Sequence, residues 1–349
     1  MNPQAMTAIF MGTPEFAVPC FKMLVDEGYR VALAVTQPDR PKGRGGHATP
    51  PPVKEAAAEA GVPVLQPQKA GEAFEAMAAL RPDVVVTAAY GRILPKRMLA
   101  LPRLGCVNVH ASLLPKYRGA SPIHQAILNG DAVTGITTMM MDKGIDTGGI
   151  LLQDELAVIP GSHYPELCSE LARLGARTLR RTLGLLACGG IEPRPQDHSQ
   201  ATYAPAIRKE DGALDFWAMD ARGVANRVRA YSSWPGAYAA LESAGAAPRR
   251  VRILAAVAEQ GTAPAAPPLG ASAAPQPAQA VPAAPPLGAS AAPQPGAVVS
   301  CSRAAMRVVC ADRRCVAVTG LQFDGGRPLQ ISECWHNIPA GARLACMRP

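Results

Sequence analysis

A chain of 349 residues that is 48% hydrophobic and 18% charged is too apolar to stay disordered and too long for one average domain, so two globular domains are expected. The formal charge of +8 is concentrated late: residues 207 to 349 carry 15 Lys or Arg against 9 Asp or Glu, the footprint expected of a polyanion partner, although a moderate excess also serves plain solubility and charge alone does not decide between them. No window approaches the ~18 uninterrupted apolar residues of a membrane helix, and the opening MNPQAMTAIFMGTP lacks the charged and apolar regions of a secretory leader. The expectation is a soluble cytoplasmic protein with no membrane partner. No zipper or repeated apolar face is evident, so it reads as a monomer. Nine cysteines without a C-x-x-C pair read as reduced thiols, and Cys310 and Cys315 have no further ligand nearby, so no metal is expected.

In chain order, TAIFM (7–11), PEFAVPCFKMLVDEG and VALAVT (31–36) predict strand, helix, strand. Within IFMGTPEFAV the first turn reads as a tight strand-to-helix connection, with Thr13 as cap and Pro14 at the first helical position. TQPDRPKGRGGHATPPPVK (36–54) reads as a flexible, basic, glycine-rich surface loop. VPVLQ (62–66), DVVVTAAY (83–90) and CVNVH (106–110) add strands, each after a plausible helix. The first half is therefore a doubly wound, mostly parallel α/β sheet. ITTMMMDKGIDTGGILLQDEL reads as two strands about a Gly-rich connection, and residues 163–188 as a long closing helix that ends a first domain at 188. The Gly- and Pro-rich stretch 189–206 reads as a connecting arm.

The remaining residues, 207–349, open with a helix, DARGVANRVRAY (220–231), and continue with the short runs RVRILAAV, AVVSCS, MRVVC and RCVAVTGLQF. Many short strands in about a hundred residues predict a small, OB-like β-barrel. PAAPPLGASAAPQP stands at 264–277 and again at 282–295. Two copies are too few for a repeat architecture, and with no charged residue and little to bury, 261–296 reads as a disordered insertion.

Unusual residues are densest in NVHASLLPKYRGASPI (108–123), at the C-terminal end of a predicted strand, where open α/β sheets bind ligands. Asn108 and His110 are two apart on an extended chain and project to one side, so an amide donor and an imidazole can converge on one atom. Asp146, between glycines in DKGIDTGG, is the best carboxylate to orient them. The other histidines, His47, His124, His163, His198 and His336, have no such company and read as ordinary surface or packed residues.

The run N-x-H-x-S-L-L-P with a later D-T-G resembles the 10-formyltetrahydrofolate-dependent formyltransferases. That resemblance implies a catalytic trio of Asn108, His110 and Asp146, a folate site lined by Ser112, Leu113, Leu114 and Pro115 with Tyr90 and Gly91, and 10-formyltetrahydrofolate as formyl donor. The opening IFMGTPEFAV, the basic loop, and the runs ATYAPAIRKEDGALDF, RAYSSWPGAY and LQFDGGRPLQ look like the members that formylate methionyl initiator tRNA. In those members the loop enters the acceptor arm. Arg40, Lys42 and Arg44 here suit its phosphates, although Gly46 and His47 stand where a further basic pair is usual. Arg227, Arg229, Arg249, Arg250 and Arg252 are candidates to grip the tRNA backbone. Sugar-nucleotide formyltransferases and formyltetrahydrofolate hydrolases share the trio and a related second domain. Glycinamide ribonucleotide formyltransferase lacks that domain.

Overall fold

The computed structural model of the protein describes residues 6–42, 47–262 and 292–347. It divides into two compact units, Met1–Ile207 and Arg208–Pro349. The duplicated Pro/Ala segment lies outside the described residues, apart from the first and last few positions of 261–296.

The first unit contains strands β1 (Thr7–Gly12), β2 (Arg30–Val35), β3 (Arg40–Lys42), β4 (His47–Thr49), β5 (Val64–Leu65), β6 (Val84–Ala88), β7 (Cys106–His110), β8 (Arg118–Gly119), β9 (Val133–Met140), β10 (Ile150–Ala157) and β11 (Tyr203–Ala204). Its helices are α1 (Val18–Asp26), α2 (Pro52–Glu59), α3 (Phe74–Ala79), α4 (Lys96–Leu99), α5 (Pro122–Asn129) and α6 (Tyr164–Cys188). Seven strands form one sheet in the order β10-β9-β7-β6-β1-β2-β5. The five from β7 to β5 run parallel, and β9 and β10 extend the sheet antiparallel.

The parallel strands are apolar without alternation because helices cover both faces. All of β6 is buried. On β1, Ile9 and Met11 join a core with Met77 of α3 and Met98 of α4. Phe10 points the other way and meets Phe21 of α1 edge to face, with ring centroids 5.5 Å apart. The long helix α6 starts with Glu166 accepting from the His163 backbone N–H at 2.6 Å and stops at Gly189, in the left-handed conformation at φ 69°. A glycine there ends the helix without a Cβ penalty.

Two local expectations are revised. Thr13 does not cap the first turn: its hydroxyl donates to the Tyr90 carbonyl at 3.4 Å, and the short 3-10 turn Glu15–Ala17 follows Pro14 with no side-chain cap. The loop over 36–54 is not featureless, because β3 and β4 pair as a hairpin and α2 begins at Pro52. Its base is pinned by Asp39, which accepts from Lys54 Nζ at 2.8 and 2.9 Å and from Gln66 Nε2 at 2.8 Å. These hydrogen bonds hold the Asp39 carboxyl below its ordinary pKa.

The stretch after α6 is strapped to the first unit. Arg194 pairs with Ile150, and β11 pairs parallel with β8.

The second unit contains α7 (Ala221–Ala230), β12 (Ala237–Ser243), β13 (Ala246–Thr262), β14 (Val298–Cys301), β15 (Met306–Val309), β16 (Arg314–Phe323), β17 (Leu329–Gln330), α8 (Ile331–Cys334) and β18 (Arg343–Ala345). Asp220 caps α7 by accepting from Gly223 N–H at 2.6 Å. The sheet is antiparallel, in the order β14-β15-β16-β13-β12-β18, with β17 on β16. It is curled: Leu344 N–H donates to Gly296 O at 2.7 Å and Val298 N–H to Ala342 O at 3.0 Å, joining the segments at its two ends. Val224 and Val228 of α7 pack with Val251, Val316, Val318 and Leu344 in one core.

Candidate active site

Asn108 and His110 end β7, beside the loops that follow β6 and β7 at this edge of the parallel strands. Alternation along the strand sends Asn108 and His110 to the same side, and the β9–β10 connection brings Asp146 to meet them. Asn108 Nδ2 lies 3.5 Å from Asp146 Oδ1, and His110 Nδ1 lies 3.6 Å from Asp146 Oδ2. Asp146 is 16% exposed and His110 6%, so the three groups interact where water screens them weakly.

The neighbours fix which atom of each group is free to react. Thr87 Oγ1 donates to Asn108 Oδ1 at 2.7 Å. The amide oxygen is thereby occupied and its NH2 turns toward Asp146. His110 Nε2 stands 2.9 Å from the Tyr117 carbonyl, which only accepts, so Nε2 carries the proton. Nδ1 is then the nitrogen that can take or give one. Gly119 N–H donates to Asp146 Oδ2 at 2.9 Å, holding the carboxylate between strand and turn.

Asp146 itself has a left-handed backbone, φ 52°, a conformation Asp tolerates better than most residues but still at a cost of about 1 kcal/mol. The glycines around it are dictated by crowding. A Cβ on Gly148 would lie 1.8 Å from Met140 O, and one on Gly149 2.6 Å from Pro193 Cβ.

The loop Ser112–Pro115 is stapled to β9 and β10. Thr137 Oγ1 donates to Ser112 O at 2.6 Å and accepts from Leu114 N–H at 3.0 Å, while Gln153 Nε2 donates to Leu114 O at 2.9 Å. Leu114 packs with Met139 and Ile150, whereas Leu113 and Pro115 are half-buried. Tyr90 turns into the core: its ring is 3% exposed, its hydroxyl has no partner, and its carbonyl accepts from Gln37 Nε2 at 2.8 Å. Burial pushes the Tyr90 phenol pKa up. Gly91 follows at φ 76°. Beyond it Ile93 is 73% exposed, and Ile145 in the Asp146 loop is 60% exposed. Both are large apolar side chains left in water.

The predicted polyanion contacts are scattered. Arg40 is exposed and donates to Gln37 Oε1 at 2.9 Å, while the side chain of Lys42 and all of Arg44 lie outside the described residues. In the second unit Arg227 is spent on the Asp211 and Ala213 carbonyls at 2.9 and 3.2 Å, and Arg229 on Asn226 Oδ1 at 2.6 Å. On β13 the guanidinium of Arg249 covers the Phe323 ring at 4.8 Å and that of Arg250 the Tyr238 ring at 4.0 Å. Arg252 lies against Gly236, and its Nε has no hydrogen-bond partner.

Four groups essential to this geometry carry no sequence signal of their own: Thr87, the Tyr117 carbonyl, Arg118 and Gln196. Gln196 Nε2 donates to the carbonyls of Asp146 at 2.9 Å and Gly148 at 2.7 Å. Among the described residues no group of His, Cys, Asp and Glu could hold a metal ion, and no helix is long and apolar enough to cross a membrane.

The formyl transferase family model matches residues 6–183, and the model of the formyl transferase C-terminal domain matches 206–339. The chain belongs to the formyl transferase family. It is similar to the methionyl-tRNA formyltransferase of Ruminiclostridium cellulolyticum, 53% identical over 67% of this chain and 75% of that one. It is 48% identical to the enzyme of that name from Citrifermentans bemidjiense, over 68% of this chain and 75% of the relative. Among solved structures, HypX from Aquifex aeolicus in complex with tetrahydrofolic acid superposes with TM-score 0.59 at 15% identity, over 96% of this formyl transferase and 48% of that chain. An N-formyltransferase from Helicobacter canadensis gives 0.60 at 14% identity, over 90% and 98%. At such identities the two structures speak for the fold alone.

Proposed function

We propose that this formyl transferase moves the formyl group of 10-formyltetrahydrofolate to the free amino group of methionyl initiator tRNA. The observation that carries the reading is the convergence of Asn108 Nδ2, His110 Nδ1 and the Asp146 carboxylate within 3.5 to 3.6 Å. The identity of about half to relatives named for that reaction supports the choice of acceptor.

When bound, the folate supplies an activated formyl carbon on a nitrogen that can leave. Ser112, Leu113, Leu114, Pro115 and Gly91 would line its site, with exposed Ile93 and Ile145 offering it apolar surface, and Tyr90 anchors the loop by its buried ring. Asn108 aims its amide N–H at the carbonyl oxygen on which negative charge grows as the amine attacks. His110 Nδ1 takes the proton that the attacking nitrogen must lose and returns one to the departing folate nitrogen, so the new C–N bond forms as the old one breaks with no net proton change. Asp146, its Oδ2 beside Nδ1, stabilises the imidazolium between these transfers.

Residues 1–188 serve as catalytic domain, 189–206 as connection, and 207–349 as an OB-like tRNA-binding domain with an insertion at 261–296. Exposed Arg40 with Lys42 and Arg44, and Arg249, Arg250 and Arg252 of β13, meet the tRNA backbone, whereas Arg227 and Arg229, first candidates for the same role, serve groups of their own unit. The protein acts as a cytoplasmic monomer, where its charged tRNA is made.

The test is incubation with the folate donor and methionine-charged initiator or elongator tRNA, reading N-formylmethionine after hydrolysis of the ester. Formylation of the initiator species alone is expected. Transfer to a sugar nucleotide in place of tRNA, or hydrolysis of the donor without an acceptor, overturns the reading.

A further inference from the structure

Gln196 comes from the arm after α6, is 6% exposed, and spends every hydrogen-bonding position of its amide. Its two N–H bonds go to the carbonyls of Asp146 and Gly148. Both lone pairs of Oε1 are taken by Arg118, from Nε at 3.1 Å and Nη2 at 2.7 Å. Rotating the amide by half a turn would set N–H groups against a guanidinium and an oxygen against two carbonyls, so a single orientation survives.

Arg118 is the largest fully buried side chain of the described residues, 2% exposed. Its Nη2 also meets His198 Nδ1 at 3.1 Å. Arginine only donates, so this nitrogen of His198 accepts and its proton sits on Nε2. Between the Asp146 loop and the arm lies an open cleft of about 310 Å³, lined by Asp142, Thr147, Gly148, Pro193, Gln196 and His198. At the wall of that cleft the Gln196 hydrogen bonds hold the backbone of Asp146, in its left-handed conformation. The neighbouring residue of the same turn, Gly119, holds the carboxylate by its N–H. Arg118 and Gly119 are adjacent, so one turn sets both the backbone and the side chain of Asp146.

We propose that Gln196, oriented by Arg118, is a positioning residue for formyl transfer: it acts through Asp146, keeping the carboxylate against His110 Nδ1 and Asn108 Nδ2. The inference rests on the formyl-transfer reading above. Removing the two donors lets the Asp146 turn relax, and misplacement of about an ångström in such a constellation costs on the order of 10²-fold in rate.

The decisive variant is Gln196→Glu, which keeps length and an acceptor for Arg118 but turns an oxygen toward two carbonyls. The parent is assayed first with folate donor and methionyl initiator tRNA. If it does not formylate, the functional reading fails, and this inference with it. With an active parent, Gln196→Glu is expected to lose kcat by about thirty- to a hundredfold while KM for tRNA stays within threefold. Placed in an Asp146→Asn background, the same substitution is expected to cost less than about threefold, because a residue acting through Asp146 has nothing left to position. A kcat within twofold of the parent, a loss confined to KM for tRNA, or full additivity with Asp146→Asn overturns the proposal. Should Gln196→Glu fail to fold, Gln196→Met removes the donors without adding charge; the same loss of kcat is expected of it, and the same three results overturn the proposal.

Discussion

The Thr87 hydroxyl turns an ordinary strand-end asparagine into an aimed donor. By occupying Asn108 Oδ1 at 2.7 Å it leaves the amide NH2 as the only face presented to the site. Losing one oxyanion donor commonly costs about 10²- to 10³-fold in kcat, so Asn108→Ala is expected to lose that much with both KM values within about threefold. Thr87→Val, which frees the amide to rotate but leaves it in place, is expected to lose about tenfold by the same argument. Steady-state kinetics on initiator tRNA check both; a larger loss for Thr87→Val than for Asn108→Ala would mean that Thr87 acts by some route other than the amide.

His124 illustrates the opposite fate for an ionisable group. It stacks on Tyr164 with ring centroids 3.9 Å apart, and burial pushes its pKa down from 6.5 to about 4. The unfolded chain therefore binds a proton that the folded chain refuses between those two values, and stability rises with pH across that window. This contribution is full above the unfolded value near 6.5 and is lost as pH falls toward 4. Urea unfolding at pH 7, 5.5 and 4.5 is expected to show a decline that is smaller in His124→Phe, which keeps the stack without a titrating group. An identical decline in both proteins would refute the assignment.

Among the elements, β7 was legible because CVNVH is apolar at the positions that face the core and polar where the ligand edge begins; the observed strand is Cys106–His110. Of the other parallel strands, β1, β2 and β6 announce themselves by continuous apolar runs, AIFM, VALAV and VVV. The hairpin β3–β4 did not, since RPK and HAT carry no apolar alternation and are ordered by Asp39 with Lys54 and Gln66. Nothing in KYRGA singles out Arg118, and only the fold reveals that it is buried against Gln196. Tyr90 likewise gave no sign that its ring enters the core. Such pairings join residues 78 apart in the chain, and no local pattern encodes them.

The Asp146 loop is the element on which chemistry depends most, and its glycines are set by contact. Gly148→Ala would place a methyl group 1.8 Å from the Met140 carbonyl oxygen, forcing the β9–β10 connection away from the site. We expect turnover to fall at least about tenfold through misplacement of Asp146. The loop lies at the edge of the sheet and contributes little to the core, so the midpoint of thermal unfolding is expected to move by only a few degrees, about what 1 kcal/mol would cause. Gly184→Ala, where a Cβ meets nothing within 4 Å, is the matched control and should leave kcat unchanged.

For the whole molecule, charge and chemistry are segregated along the chain. The trio stands in the first unit, whereas the basic excess falls in residues 207 to 349, so binding of a polyanion and transfer of a formyl group respond differently to salt. Raising ionic strength from about 50 to 200 mM displaces each phosphate contact by counterion competition, and it reaches the 6% exposed His110 far less. The expected result is a steep rise in KM for tRNA with a nearly constant kcat. The slope of log KM against log salt counts the contacts, at about 0.7 per phosphate for a single strand and about 0.9 for a duplex. Arg249→Ala with Arg250→Ala removes the two guanidinium groups that cover Phe323 and Tyr238. That slope is expected to drop by about two in the double variant. Arg227, whose guanidinium already serves two carbonyls of its own unit, is expected on substitution by Met to lower thermal stability and leave the slope unchanged. If Arg227→Met flattened the salt dependence while the β13 pair did not, the tRNA face of this unit would have to be redrawn around α7.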